Sequence, residues 1–251
     1  MRANSAKYPS LENARVFITG GATGIGAAMV RAFVDQGAQV GFIDIAEDAG
    51  QMLAAALPKT WFRVVDVTNT DALRAAVHAF IADRGGVDVL INNVANETRH
   101  DWRDVTERSW DQTMAINLRP AFFTIQAVAD HMIAQKSGSV INFGSISWKA
   151  KHDGMPGYTT AKAALHGLTR SFVKPLGIAH VRINTITPGW VMTDRQMSDH
   201  FDSQGAQMLA QNQPLAGHIQ PQDAAALALF LAADDSAMCT GQEFTIDGGW
   251  S

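Results

Sequence analysis

The sequence predicts an α/β fold with a doubly wound, seven-stranded parallel sheet and helices on both faces. Short apolar, β-branched runs alternate along the chain with longer segments of helical periodicity. Glycine, asparagine, aspartate or serine residues follow successive runs, as expected where strand ends line a cleft. Alternation of strand and helix favours right-handed crossovers and hence a parallel sheet. We therefore expect one domain over residues 1–251, with residues 1–12 as a short N-terminal arm.

The individual elements follow from length and periodicity. Seven apolar runs have the composition of buried strands. In chain order they are 15–19, 39–44, 61–65, 87–91, 139–143, 180–186 and 243–246. Segments with apolar residues at spacings of three and four are predicted as helices. Examples are 27–36, 72–83, 121–135, 161–172 and 223–232.

The composition is that of an ordinary globular protein. Hydrophobic residues make up 47%, charged residues 18% and the net charge is -4, so nothing draws the chain to nucleic acid or to a membrane surface. The single cysteine, Cys239, cannot form an intramolecular disulfide, and a reducing cytoplasm is the expected setting. The first dozen residues lack the apolar run of a signal peptide. His100 and His152 have no third ligand at metal-binding spacing, so we expect no metal site.

A glycine-rich turn lies between the first strand and the first helix, with the sequence Thr19-Gly20-Gly21-Ala22-Thr23-Gly24-Ile25-Gly26. Glycines there permit a tight turn and bring backbone N–H groups close to a pyrophosphate, and the helix N-terminus adds a favourable partial charge. A plain strand-to-helix loop is the alternative. The residues predicted to contact a dinucleotide cofactor are Gly20, Thr23, Gly24, Ile25 and Gly26.

Asp44 ends the second predicted strand, about twenty residues beyond the turn, where a carboxylate can accept hydrogen bonds from an adenosine ribose. A 2′-phosphate would meet a like charge there, and neither Thr23 nor Ile45 supplies a compensating cation. The predicted cofactor is therefore NAD rather than NADP. The alternative for Asp44 is a carboxylate that ends a strand or caps a helix. Asp66, followed by Val67, is placed either to contact the adenine amino group or to form a plain turn.

Tyr158 and Lys162 lie four residues apart, and on a helix this spacing puts both side chains on one face. A phenol has a pKa of about 10, so a nearby ammonium is needed to favour the phenolate near neutral pH. Ser145 follows the fifth predicted strand and reaches the same edge of the sheet. The three residues predict a proton-transfer site. The alternatives are a solvated helix face for Lys162 and a turn for Ser145.

Together these motifs make the chain resemble the classical short-chain dehydrogenases/reductases from about Arg15 to the C-terminus. The further matching motifs are Asn92-Asn93-Val94-Ala95, Asn117 and Pro188-Gly189. The family usually has Asn-Asn-Ala-Gly after the fourth strand, and Val94 and Ala95 depart from that pattern. The resemblance implies a Rossmann fold, hydride transfer between a nicotinamide cofactor and a CH–OH group, and a homotetramer.

By that resemblance Asn117, Ser145, Tyr158 and Lys162 form a catalytic tetrad. Tyr158 is the base, and Ser145 holds the substrate oxygen. Lys162 binds the nicotinamide ribose and lowers the pKa of Tyr158, while Asn117 anchors a water that links Lys162 to solvent. Residues 188–193 close over the nicotinamide. The full set of predicted cofactor contacts thereby gains Ile45, Asn93, Ala95, Tyr158, Lys162, Pro188, Gly189, Val191 and Thr193.

Several stretches are similar to the bacterial NAD-dependent aldose 1-dehydrogenases, the D-xylose type most of all. They are residues 8–11, 96–100, 140–148, 239–242 and 247–250. The similarity implies that a sugar such as D-xylose, L-arabinose or D-galactose is oxidised at its anomeric carbon to a lactone. Polar groups and a tryptophan platform suit such a substrate. The predicted substrate residues are Asn96, Ser147, Trp148 and Trp190, from a wider set that includes Glu97, Arg99, His100 and Met155.

Two alternatives stay open at this point. One is an NAD(P)-dependent dehydrogenase or reductase of another secondary alcohol or ketone, such as a polyol or a 3-hydroxyacyl compound. Asp44 and the net charge of -4 count against its carrier-protein-linked form. The other is a non-catalytic nucleotide-binding protein, since a fold alone does not establish activity.

Overall fold

Seven parallel strands form one sheet in this chain, whose computed structural model describes residues 6–57 and 59–251. The strands are β1 (Arg15–Thr19), β2 (Gln39–Asp44), β3 (Trp61–Val64), β4 (Val89–Asn92), β5 (Gly138–Phe143), β6 (Val181–Pro188) and β7 (Glu243–Ile246). Their order across the sheet is β3-β2-β1-β4-β5-β6-β7. The chain reverses its direction of winding between β1 and β4, which is where doubly wound sheets bind ligands. The predicted fold class is confirmed.

Helices connect the strands and cover both faces of the sheet. In the described part of the chain they are α1 (Gly24–Asp35), α2 (Glu47–Ala56), α3 (Thr70–Arg84), α4 (Glu107–Asn117), α5 (Arg119–Gln135), α6 (Pro156–Gly177), α7 (Asp194–Asp199), α8 (Ser203–Asn212) and α9 (Pro221–Ala232). Helix α1 packs against α9, and α3 packs against α5. No helix among the described residues combines the length and the hydropathy that a bilayer crossing requires.

The element bounds differ from the predicted ones mainly at turns. Strand β4 begins at Val89 rather than at residue 87, after Gly85 and Gly86, which have φ values of +74° and +153°. Helix α6 extends beyond the predicted 161–172 at both ends, since it begins at Pro156 and ends at Gly177. Proline fits the first turn of a helix, where its missing N–H needs no partner.

The N-terminal segment docks on the end of α1. Residues 1–5 of the predicted arm lie outside the described residues. Pro9–Leu11 form a single 3-10 turn, and Leu11 is 1% exposed. The side chain of Gln36 accepts a hydrogen bond from Tyr8 N at 2.9 Å and donates one to Ala6 O at 3.0 Å. The described part of the arm is therefore part of the core packing.

The core lies on the two faces of the sheet. Successive side chains of β1 point to opposite faces, as the period of a strand requires. Val16 and Ile18 pack with α1 and α9, whereas Phe17 packs on the other face with Trp61 and Phe80. The ring centroids of Phe17 and Phe80 are 5.3 Å apart. This burial on both faces fixes the strand ends that carry the cleft.

A chain of polar side chains crosses this core. Asn92 donates to Asn142 at 2.9 Å and accepts from Thr124 at 2.6 Å. Asn142 in turn donates to Thr169 at 2.9 Å, and Thr169 lies 2.8 Å from the Thr185 hydroxyl. All five side chains are buried. Each finds a partner, as a buried polar group must to avoid a desolvation cost.

Candidate active site

A cleft of about 790 Å³ opens at the carboxyl ends of the strands. Its walls come from the turn after β1, the end of β2, the loops after β3 and β4, and the segment after β6. Every residue predicted to contact the cofactor lines this cleft except Lys162, which lies deeper and is 2% exposed. The fold therefore brings these residues together at the carboxyl ends of the strands, as their positions in the sequence predict.

Backbone contacts hold the glycine turn. Gly20 N donates to Ile43 O at 2.8 Å, and Gly20 has a φ of +68°. Asn93 Nδ2 donates to Gly20 O at 2.8 Å from the neighbouring strand end. A Cβ on Gly26 would lie 1.8 Å from Gly20 O, so no side chain fits at that position. The turn therefore needs glycine both for its conformation and for its close approach to α1.

The N-terminus of α1 faces the cleft. Thr23, at the N-cap, makes no side-chain capping hydrogen bond. Within the described part of the chain, the first N–H groups of the helix therefore lack a side-chain cap and, with the partial positive charge of the helix end, suit a phosphate. Thr193 lies against this turn, since a Cβ on Gly24 would be 3.1 Å from Thr193 Cγ2.

Asp44 supports two neighbouring segments. Its Oδ2 accepts from Ala22 N at 2.9 Å, and its Oδ1 accepts from Ala46 N at 3.0 Å. Each carboxylate oxygen can accept more than one hydrogen bond, so capacity remains for a ribose hydroxyl. Asp44 and Ile45 both line the cleft, and no lysine or arginine lines the cleft beside them in the described part of the chain. The glycine turn, the uncapped helix and Asp44 fit a dinucleotide without a 2′-phosphate.

Asn93 lies at the predicted place and also supports the glycine turn. Its side-chain amide is already engaged by the backbone, with donation to Gly20 O and to Thr19 O at 3.2 Å. Asn93 lines the cleft, but its amide nitrogen positions the glycine turn. Val94 and Ala95 also line the cleft, and a Cβ on Gly20 would be 3.0 Å from Val94 Cγ2. Val94, one of the two residues that differ from the usual motif, thus packs against the glycine turn.

Ser145 and Tyr158 both face the cleft. Ser145 follows β5 directly, and its Oγ accepts from Ser147 N at 3.1 Å. Tyr158 and Lys162 lie one turn apart on α6, and Lys162 Nζ is 5.8 Å from the Tyr158 ring centroid. Lys162 Nζ donates to Phe143 O at 2.8 Å, at the end of β5. The Lys162 side chain is therefore held by the end of β5, the same strand that Ser145 follows.

Burial shifts the pKa values of both Tyr158 and Lys162. Burial raises the pKa of the Tyr158 phenol, and the charge of Glu97 raises it further; hydrogen bonding to Ser145 and the charge of Arg195 lower it. Burial lowers the pKa of the Lys162 ammonium to about 8.

Asn117 ends α4 and is 3% exposed. Its side chain donates to Asn96 O and to Thr113 O, each at 3.0 Å, and its Oδ1 accepts from Asn96 N at 2.8 Å. The amide is thus occupied by the loop after β4. Asn117 stays at the predicted place, but its side chain holds that loop.

The predicted substrate residues separate into two groups. Asn96 and Trp190 line the cleft. Ser147 and Trp148 do not, because the 3-10 turn Ile146–Trp148 directs them elsewhere. Ser147 is 2% exposed, and Trp148 packs edge-on against His166 at a centroid distance of 5.4 Å. Proximity to Ser145 in sequence did not give proximity in the cleft.

Further polar residues complete the cleft. Glu97, from the wider sequence-predicted set, lines it together with Gln112, Arg195 and Gln196, which the sequence did not single out. Gln196 Nε2 donates to Glu97 Oε1, and Trp190 Nε1 donates to Gln196 Oε1 at 2.8 Å. The one available signal was position: Arg195 and Gln196 directly follow the segment 188–193.

Comparison with known proteins agrees with this geometry. Residues 20–251 match the family described as enoyl-(acyl carrier protein) reductase. The chain is 44% identical to D-xylose 1-dehydrogenase of Caulobacter vibrioides, over 98% of this chain and 99% of that one. It is 40% identical to "Probable galactose dehydrogenase GalD" of Rhizobium meliloti, over 99% of each. A solved structure, 7α-hydroxysteroid dehydrogenase with NADH and 7-oxo glycochenodeoxycholic acid, superposes with a TM-score of 0.91 at 28% identity, over 100% of this chain and 98% of that one.

Proposed function

The chain belongs to the short-chain dehydrogenase/reductase family and is an oxidoreductase acting on a CH–OH group, and from this premise we propose that it oxidises an aldose at the anomeric carbon with NAD, giving a lactone. The observation that carries the proposal is the presence of Ser145 and Tyr158 in one cleft with the glycine turn and Asp44. Relatives named for D-xylose and galactose support the sugar class. A solved relative that holds NADH supports the cofactor.

The cofactor site is proposed to hold NAD through this chain's backbone and Asp44. The glycine turn and the uncapped N–H groups of α1 bind the pyrophosphate, and Asp44 accepts hydrogen bonds from the adenosine ribose. Asp66 and Val67 line the same cleft and would contact the adenine. The residues proposed for the remaining contacts are Ile45, Asn93, Ala95, Tyr158, Lys162, Pro188, Gly189, Val191 and Thr193.

Tyr158 is the proposed general base and Ser145 its partner at the reacting oxygen. NAD, when bound, supplies the acceptor for the hydride that leaves the anomeric carbon. Tyr158, as phenolate, takes the proton of the anomeric hydroxyl. The oxygen of that hydroxyl then becomes the carbonyl oxygen of the lactone. Ser145 donates a hydrogen bond to that oxygen and holds it during the transfer.

Lys162 and Asn117 are proposed to support this pair. Lys162 binds the nicotinamide ribose and, when protonated there, favours the Tyr158 phenolate. Burial lowers the pKa of its ammonium, and the charge of Glu97 opposes that shift. Asn117 holds the loop after β4, and with it Asn96, at the substrate end of the cleft. Asn96 and Trp190 are the proposed contacts to the sugar hydroxyls and ring face.

The deciding experiment is replacement of Tyr158 by Phe, assayed for NADH production over a panel of aldoses, polyols and 3-hydroxyacyl compounds. We expect turnover to fall by at least about 1,000-fold while the NAD dissociation constant stays within about 3-fold, because only the proton acceptor is removed. Since the phenolate fraction grows with pH, wild-type oxidation should rise toward alkaline pH. Wild-type turnover in the variant would refute the role of Tyr158. Oxidation of the polyols or hydroxyacyl compounds in preference to every aldose would move the substrate to the alternative class.

We also propose that the chain is one domain, acts in the cytoplasm and assembles as a homotetramer. Trp110 on α4 and Phe122 and Ile133 on α5 are large apolar side chains with 37%, 38% and 40% exposure. A second copy that covers this face would remove them from water. Light scattering tests the assembly, and a monomer at micromolar concentration would rule it out.

A further inference from the structure

One carboxylate at the reacting end of the cleft has no role in the chemistry described above. Glu97 lies in the loop after β4, lines the cleft and has a side chain that is 23% exposed. Its negative charge raises the pKa of Tyr158 and also that of Lys162. A substrate bound against Tyr158 therefore lies within reach of the field of Glu97.

The two oxygens of Glu97 have different surroundings. Oε1 accepts a hydrogen bond from Gln196 Nε2, and it lies 3.7 Å from Arg195 Nη2 and 4.0 Å from His200 Nε2. Oε2 accepts no hydrogen bond from residues 6–57 or 59–251. One oxygen is thus tied to α7, and the other keeps its capacity to accept.

The partner of Glu97 is itself held in place. Gln196 is 9% exposed, and its Oε1 accepts from Trp190 Nε1 at 2.8 Å. Its backbone N–H donates to the Thr193 side chain at 3.2 Å, at the start of α7. Trp190, Gln196 and Glu97 therefore form a relay, which we call the latch, between the segment after β6 and the loop after β4. A carboxylate oriented in this way loses little rotamer freedom when a substrate binds.

A fixed carboxylate selects by hydrogen-bond type. It accepts and cannot donate, so it stabilises hydroxyl groups and disfavours another anion. A substrate with hydroxyl groups beyond the reacting carbon satisfies it, whereas a substrate that lacks them leaves a charged acceptor without a partner. Such a mismatch is costly when the site is shielded from water.

We propose that Glu97 is the specificity-determining residue of the substrate end of the cleft, with its free oxygen accepting hydrogen bonds from a sugar hydroxyl remote from the anomeric carbon. The inference rests on the proposed function and names the group that selects polyhydroxylated substrates. It also assigns the latch a purpose, which is to aim the carboxylate.

The test is a cycle between Glu97→Gln and single deoxygenation of the sugar. kcat/KM is measured for the best aldose and for its 2-, 3- and 4-deoxy analogues, in wild type and variant, with saturating NAD. For at least one position we expect deoxygenation to cost wild type about 10- to 100-fold and to cost the variant no more than about 3-fold. Equal penalties in both proteins at every position would overturn the inference.

A second variant separates contact from positioning. Gln196→Ala removes the latch and keeps the carboxylate, so the deoxygenation penalty should fall below that of wild type but stay above that of Glu97→Gln. If Gln196→Ala left the penalty unchanged, the latch would not aim the carboxylate, and that part of the inference would fail. Unchanged NAD binding and an unchanged unfolding temperature serve as checks that both variants are folded.

The pH profile gives an independent readout. The ionisable groups that face Tyr158 are Lys162 on its own helix, Glu97 from the loop after β4 and Arg195 from α7, with His200 behind Glu97. Removing the charge of Glu97 lowers the pKa of Tyr158, so the alkaline rise in kcat should move to lower pH. A profile that does not move would contradict the placement of Glu97 beside Tyr158.

Failure of the inference and failure of the proposed function have different signatures. A wild-type protein that oxidises no aldose refutes the function before any variant is made. A wild-type protein that oxidises aldoses, with the same deoxygenation penalties in Glu97→Gln, refutes only the role of Glu97.

Discussion

The two ends of the cleft are built by different means. At the cofactor end, backbone N–H groups of the glycine turn donate to Ile43 O, and Gly26 packs directly against Gly20 O. Backbone conformation therefore sets the geometry of this end. At the substrate end, the side chains of Glu97, Gln196 and Trp190 hold two loops together. We therefore expect one added methyl group to disrupt binding at the cofactor end. Substitution of a side chain at the substrate end should weaken binding by a smaller amount.

The largest expected effect is at the cofactor end, with Gly26→Ala. The new Cβ would lie 1.8 Å from Gly20 O, and only a backbone shift can relieve that contact. We expect NAD affinity to fall by about 10- to 100-fold, because overpacking against backbone costs about 1–3 kcal/mol. Isothermal titration of NAD checks this.

The matched control is Gly167→Ala in α6, where a Cβ would meet nothing within 4 Å. It should leave NAD affinity unchanged and stabilise the helix by up to about 1 kcal/mol. Normal affinity in Gly26→Ala would break the contrast between the two ends of the cleft.

A smaller effect is expected for Asp44→Asn. The amide oxygen can still accept from Ala22 N or Ala46 N, but the negative charge is gone. The preference for NAD over NADP should fall by about 10-fold, which corresponds to ~1.4 kcal/mol of like-charge repulsion with the 2′-phosphate. Steady-state kinetics with both cofactors measures this ratio. Asp66→Asn, at the next strand end, should leave it unchanged, and an unaltered ratio in Asp44→Asn would remove Asp44 from cofactor choice.

The smallest effect is expected for Trp190→Phe at the substrate end. The ring centroids of Trp190 and Phe201 are 5.6 Å apart. Phenylalanine keeps an aromatic ring against Phe201 but loses the hydrogen bond to Gln196. The KM for the sugar should rise about 3- to 10-fold, the value of one hydrogen bond, with the KM for NAD unchanged. Trp148→Phe, outside the cleft, is the control and should behave as wild type. A rise in the KM for NAD alone would show that the latch serves the cofactor end instead.

Sequence reasoning reached the cofactor end and much of the proton-transfer site. A glycine turn after a strand, a carboxylate at the end of the next strand, and Tyr158 with Lys162 on one helix face all depend on local spacing. Local spacing survives folding because strands and helices have fixed periods. For the same reason all seven strands were predicted to within a few residues.

The substrate end resisted such reasoning. Arg195 and Gln196 reach Glu97 across nearly one hundred residues of sequence, and no periodic pattern links side chains at that separation. Ser147 and Trp148 do not line the cleft, since a tight turn beside Ser145 sends neighbouring side chains in different directions. The rise in the pKa of Tyr158 was not predicted either, because burial and the charge of Glu97 act on it only in the folded chain.

The polar chain through the core bears on how the sheet assembles. Asn92, Asn142 and Thr185 are direct neighbours in the pairing of β4, β5 and β6. A slip of one residue would turn each side chain to the opposite face and leave a buried amide or hydroxyl without a partner, at about 1–3 kcal/mol for each. Parallel strands of uniformly apolar sequence carry little else to specify their alignment. These three side chains therefore favour the observed alignment of β4, β5 and β6 over one slipped by a single residue.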